Sequence, residues 1–250
     1  MEFPIAPWRR RICLISKELV IIVFYMLFFR IRVRGRENLK SAEQLKSIIV
    51  FNHVSWLDAF VLFWLVSPSG VTLLRNSKIP IIKYATHALH TIYIQKNVSV
   101  TSILQQRVNH HSYTKGFPII AIAPEGTCSH GRCLLKFKTG AFALGKPVCP
   151  ILFIYTSRTL NPAWTNMNIY FHFIRLMCQL DNGLDVQILP PYVPSIQEVA
   201  DPTLYASNVR TLMAKTLGVP LVEQDQSDFL NLVKRGVYVA WDGKTVSGLV

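Results

Sequence analysis

Ser47-Ile48-Ile49-Val50-Phe51-Asn52-His53-Val54-Ser55-Trp56-Leu57-Asp58 is the stretch whose reading decides the fold. Ser47 to Phe51 is a short apolar run and reads as a buried strand. Trp56 to Val66 is a longer apolar run and reads as a helix. Between them stand His53 and, five residues on, Asp58. On a regular helix five residues set two side chains about 140° apart. The pair can meet only if His53 precedes the helix and folds back, and a strand-loop-helix junction allows this.

The pattern continues in both element types. Val71–Leu74, Thr91–Ile94, Pro118–Ala123 and Val148–Tyr155 read as strands, and Pro80–Leu89 and Val100–His110 as helices. Asn168–Phe173 and Asp185–Leu189 add two strand-like runs. Asp201-Pro202 opens a last helix, an acidic N-cap with proline in the first turn, and Gly218 with Pro220 closes it. Such alternation marks an α/β domain. Functional groups in open α/β sheets gather beyond the carboxyl ends of strands. His53 follows one strand and Pro124-Glu125-Gly126-Thr127 follows another, so both are expected at one rim.

Composition narrows the partners. The chain has 250 residues, is half hydrophobic and carries a net charge of +13. That balance suits an anionic partner. No zinc finger, RNA-binding signature or basic groove-reading helix is present, so nucleic acid is not expected. The five cysteines are scattered without a Cys-x-x-Cys pair, which argues against a disulfide framework and against a zinc site; no metal is expected. Asn97-Val98-Ser99 matches a glycosylation acceptor but is expected to be unused.

Arginines flank the apolar segment Ile12–Phe29: Arg9, Arg10 and Arg11 before it, Arg30, Arg32, Arg34 and Arg36 after it. A spanning helix would put one cluster on the wrong side by the positive-inside rule. A helix lying in the membrane interface, or a re-entrant hairpin, keeps both on one face. The expected organisation is a membrane-associated segment over 1–40, a catalytic domain over 41–220 and a C-terminal tail over 221–250, the last without a readable pattern.

Several motifs resemble one family. Asn52-His53-x4-Asp58 is similar to the first motif of the glycerophospholipid acyltransferases, and Pro124-Glu125-Gly126-Thr127 to the third. His90 to Lys96 resembles the second, with His90 where glycine is usual and Lys96 where arginine is usual. Pro147-Val148-Cys149-Pro150-Ile151 resembles the apolar fourth. Phe137–Phe142, Leu189–Tyr192 and Asp201–Arg210 look like the eukaryotic lysophosphatidylcholine and lysophosphatidylethanolamine acyltransferases.

The resemblance implies a mixed β-sheet flanked by helices, with an N-terminal membrane-associated helix. It implies transfer of an acyl group from acyl-CoA, as a substrate and with no cofactor, to a lysophospholipid hydroxyl. The implied location is a membrane, that of the endoplasmic reticulum, with the site facing the cytoplasm. His53 is implied as general base and Asp58 as its orienting carboxylate. Glu125, Gly126 and Thr127 are implied to bind the glycerol or headgroup end, and Lys96 and Arg75 the phosphate. The residues agree in kind, since a hydroxyl needs a base with a pKa near working pH and no Gly-x-Ser-x-Gly elbow is present. Some relatives carry calcium-binding EF-hands; no such loop occurs here, so calcium control is not implied. Lysophosphatidate or glycerol 3-phosphate as acceptor, a CoA-independent transacylase and a non-catalytic lipid-binding module remain as alternatives.

Overall fold

The computed structural model describes residues 6–74, 89–94, 101–110, 117–157, 161–164, 168–239 and 246–248. Seven strands form one sheet in the order β1-β7-β6-β2-β5-β3-β4. They are β1 (Phe29–Arg34), β2 (Ile48–Phe51), β3 (Ser69–Leu73), β4 (Ile92–Ile94), β5 (Ile120–Ile122), β6 (Val148–Ser157) and β7 (Asn182–Ile188). The pairings are parallel except β6 with β7, which is antiparallel. A mixed sheet flanked by helices is therefore the architecture.

Strand alternation sorts side chains to two faces. Ile49, Phe51, Ile151, Phe153 and Val186 join one core cluster, which takes in Phe24 of α1 (Pro7–Met26), Leu57, Val61 and Leu62 of α3 (Leu57–Val66), and Leu176 of α5 (Ile169–Met177). Ala42 of α2 (Asn38–Gln44) belongs to the same side. Ile48, Val50, Ile120, Val148 and Leu152 face the other way. They pack against Leu104 and Val108 of α4 (Thr101–Asn109), and against Tyr205, Val209 and Met213 of α7 (Pro202–Leu217). β2 is buried on both faces, as its unbroken apolar sequence requires.

The last long helix, α7, is capped as expected. Asp201 accepts from the Thr203 N–H at 2.8 Å, and Gly218 closes the helix at φ +67°. It follows a short helix, α6 (Ile196–Ala200), opened by a Ser195/Glu198 capping box. The described residues from 221 onward do have order. Leu221 bridges Leu134, and Lys136 N–H donates to the Gln224 carbonyl at 2.9 Å. Buried Arg210 ties this strip down by donating to the Leu134 and Val222 carbonyls. Helix α8 (Gln226–Lys234) and a two-stranded ribbon of β8 (Tyr238–Val239) and β9 (Val246–Ser247) follow.

One expectation changes. Asn168–Phe173 is not a strand but the opening of α5, whose N-cap Asn168 accepts from the Tyr170 N–H at 2.9 Å. But for His172 the run Ile169–Phe173 is aromatic or β-branched, a composition that favours a strand, and the helical period emerges only when Arg175 is taken with His172. The arginine-rich Phe29–Arg34 is the edge strand β1, with Ile31 and Val33 packed on the core. The N-terminal stretch is thus built into the sheet through β1. No helix among the described residues is long and apolar enough to cross a membrane. The helix expected over Pro80–Leu89 lies, but for its last residue, outside the described residues.

Candidate active site

β2 and β5 are parallel neighbours, with Val50 opposite Ile122, so the segments after them leave the same edge of the sheet. As β2 ends, the Asn52 side chain continues its ladder, donating to the Phe153 carbonyl at 2.9 Å and accepting from the Phe153 N–H at 2.8 Å. The chain then turns, and α3 begins at Leu57. His53 stands before the helix and folds back, its Nδ1 2.9 Å from Asp58 Oδ2.

Asp58 is fully buried and accepts four hydrogen bonds. Oδ2 takes the Val54 and Ser55 N–H groups at 2.7 and 2.9 Å besides the imidazole. Oδ1 takes the Tyr155 hydroxyl at 2.5 Å. A carboxylate is an acceptor only, so the proton of His53 sits on Nδ1 and leaves Nε2 as the basic nitrogen. Phe51 meets the imidazole edge to face, 5.7 Å between centroids. A quarter of the His53 side chain (24%) stays exposed. Burial pulls the His53 pKa down. The Cys128 sulfur beside the ring and the Asp58 carboxylate outweigh it and hold the pKa well above the ordinary value. Burial and the Asp58 charge push the Tyr155 phenol well up, so it remains a donor.

The Pro124–Thr127 turn lies against this loop. Glu125 is fully buried, and its two oxygens accept from the His53 N–H at 3.2 Å and the Leu135 N–H at 3.1 Å. Ser129 N–H donates to the His53 carbonyl at 2.7 Å. Burial raises the Glu125 pKa to about 7 against the hydrogen bonds that favour its charged form. Gly126 is exposed at φ +72°, where a side chain is strained, and Thr127 is half-buried. Gln226 of α8 reaches back to the turn, its amide donating to the Gly126 carbonyl at 2.5 Å. Its oxygen accepts from the Lys138 ammonium.

The structure therefore brings together His53, Asp58, Glu125, Gly126 and Thr127. Arg75 and Lys96 lie outside the described residues. His90, in the glycine position of the second motif, has φ +52°, the left-handed conformation that explains why glycine is usual there. Tyr155 and Gln226 are additions. Tyr155 carries one usable signal: it sits on the parity of Ile151 and Phe153, which faces α3. Gln226 carries none.

A family model for acyltransferases matches residues 30–154, half of the chain and the span from β1 to the Tyr155 end of β6. The chain belongs to the glycerophospholipid acyltransferase family. It is 38% identical over 186 residues to the lysophospholipid acyltransferase LPEAT1 of Arabidopsis thaliana, covering 72% of this chain and 47% of that protein. It is 33% identical to the human lysophospholipid acyltransferase LPCAT4, covering 89% and 43%. With human lysophosphatidylcholine acyltransferase 2 the identity is 29%, covering 94% and 44%. This family member thus spans a little under half the length of these relatives. Its fold is that of the 1-acyl-sn-glycerophosphate acyltransferase PlsC of Thermotoga maritima (TM-score 0.62, 20% identity, 84% of this chain and 81% of that one).

Proposed function

We propose that this chain moves a fatty acyl group from acyl-CoA to the free hydroxyl of lysophosphatidylcholine or lysophosphatidylethanolamine. The observation that carries the proposal is the His53–Asp58 pair, oriented through Nδ1 and partly exposed, beside the Glu125 turn. The relatives named above support the acceptor class. In the reaction Nε2 of His53 takes the hydroxyl proton as the oxygen attacks the thioester carbonyl. Asp58 stabilises the imidazolium that forms. The tetrahedral intermediate collapses, the carbon–sulfur bond breaks and CoA leaves as a thiolate that needs no nucleophilic side chain.

Glu125 serves by joining the His53 loop to Leu135; the surface offered to the glycerol end is Gly126 and Thr127. Two backbone donors of the turn are engaged, Gly126 N–H with Ala123 and Ser129 N–H with His53, which leaves Thr127 and Cys128 N–H as the candidate oxyanion donors. Lys138, held over Gly126 by Gln226, supplies a cation for the headgroup phosphate alongside Lys96 and Arg75. The chain works at a membrane surface, with α1 lying along it.

The test is transfer of a labelled acyl group from acyl-CoA to a panel of lysophospholipids, lysophosphatidate and glycerol 3-phosphate. Wild type and His53→Ala are run side by side. The expected result is turnover on a choline or ethanolamine acceptor that falls by roughly 10²–10⁴ in a folded mutant. A folded wild type that acylates no acceptor overturns the proposal.

A further inference from the structure

Helix α5 is built inside out. Its inward residues are His172, Arg175 and Leu176. Its outward residues are apolar, with Tyr170 77%, Phe171 62%, Ile174 55% and Met177 54% exposed. A surface helix ordinarily turns its charged residues to water. A run of large apolar side chains on the outside marks an interaction surface. The orientation is fixed by buried contacts. His172 Nδ1 accepts from Trp56 Nε1 at 3.0 Å, and Nε2 donates to the Pro162 carbonyl at 3.1 Å.

The face is larger than one helix. Helices α1 and α5 cover the same side of the sheet. The segments that follow them meet, since Asn182 donates to the Phe28 and Leu27 carbonyls from its backbone and side chain at 3.2 and 3.1 Å. At that corner Phe28, Met26 and Leu180 are exposed, and Phe28 is held outward by a backbone at φ +57°. Exposed arginines lie on the same elements: Arg11 on α1, Arg30 at the start of β1, paired with Asp181 just beyond α5, and Arg36 past the end of β1, over the Trp64 ring at 4.6 Å. Apolar side chains together with guanidinium groups, on a chain of +13, fit the interface of a bilayer with anionic lipid.

The same helix is connected to the site. Trp56 immediately precedes α3, which carries Asp58, and Trp164 N–H, just ahead of α5, donates to the Val54 carbonyl at 2.9 Å. From these observations we infer that α5 is a second membrane-inserting element, which seats the His53 rim on the bilayer that holds the acceptor. The surface stands on its own geometry; its purpose rests on the acyl-transfer reading.

The experiment is flotation of the full chain with phosphatidylcholine vesicles containing roughly one-fifth phosphatidylserine. Wild type is compared with Phe171→Glu/Ile174→Glu, which alters outward positions only, and with Ile15→Glu on α1. Partition of the α5 variant is expected to fall roughly tenfold or more with thermal stability unchanged. Its acyl transfer is expected to fall on vesicle-embedded acceptor but not on a monomeric short-chain lysophospholipid. Flotation equal to wild type overturns the inference. So does a wild type that ignores vesicles and sediments as a dimer that the variant dissociates. Flotation that depends on α5 without acylation of any acceptor leaves the surface standing and removes the acyl-transfer reading.

Discussion

Tyr155→Phe isolates one hydrogen bond at the centre of the site. The phenol donates at 2.5 Å to the Asp58 oxygen that His53 does not use. A hydrogen bond to a charged group contributes about 1.5–3 kcal/mol, and phenylalanine leaves Oδ1 of a fully buried carboxylate without it. Two effects follow, and they separate in the assay. The first is lost stability of about 1–2 kcal/mol, or about 2–8 °C in Tm for a chain of this length. The second is chemical. With three donors instead of four, Asp58 keeps more of its negative charge for the imidazole, and the His53 imidazolium is favoured. Part of the lost bond is passed on, and the His53 pKa moves up.

His53 must be neutral to act as base, so acyl transfer rises with pH through its pKa. The acid limb of kcat/KM is therefore expected to move to higher pH in Tyr155→Phe, with the plateau little changed. The assay is the pH profile of kcat/KM on a soluble short-chain acceptor, beside thermal denaturation of the same protein. A lower Tm with an unmoved acid limb would reduce Tyr155 to a structural bond. A limb that moves to lower pH would refute the coupling of Asp58 to His53.

Asp58→Asn is expected to keep the imidazole tautomer. The amide oxygen is required at the Val54 and Ser55 N–H groups, and the amide nitrogen then donates to Tyr155. Only the charge is lost, so kcat should fall by roughly ten- to a hundredfold, against about 10⁴ where such a change flips the tautomer; a loss near the larger figure would show that the amide had turned. Glu125 should make stability fall as pH rises. Unfolded, it loses its proton near 4.5; folded, at about 7. Between those values the folded chain binds more protons, which amounts to about 3 kcal/mol lost across the window. Urea denaturation across that range should show a slope that Glu125→Gln removes, and an equal slope in the variant would contradict the assignment. Gly126→Ala should cost about 1–2 kcal/mol, because φ is +72° and a Cβ would stand 3.1 Å from Lys138 Nζ and Gln226 Oε1. Steady-state kinetics should show KM rising more than kcat falls; an unchanged KM would remove Lys138 from the phosphate site.

What could be read in advance follows from the range of the forces involved. The strand-loop-helix around His53 is local: an apolar run, a turn and an apolar helix within 20 residues, with a carboxylate that finds its partner five residues away. The Pro124–Thr127 turn could be placed at the same rim because parallel strands share an edge. Tyr155 was out of reach, 97 positions from Asp58, because strand parity tells which face a side chain takes and not which partner it meets. Gln226 was further still, since the strip that returns it to Gly126 is held by carbonyls of Leu134 and Val222 on buried Arg210, and backbone acceptors leave no mark on composition.

The helix at Asn168–Phe173, where the sequence pattern favours a strand, has a different cause and says more about the molecule. A helix shows its period when polar residues face water and apolar ones face the core. In α5 the two polar residues of the inward face, His172 and Arg175, are buried, and the outward positions are apolar. The contrast is inverted, and it is the aromatic and β-branched composition of Ile169–Phe173 that resembles a strand. A helix whose outer face met water would carry its polar residues outside; in α5 they are inside, which is the inversion that the proposed seating of this face on a bilayer predicts.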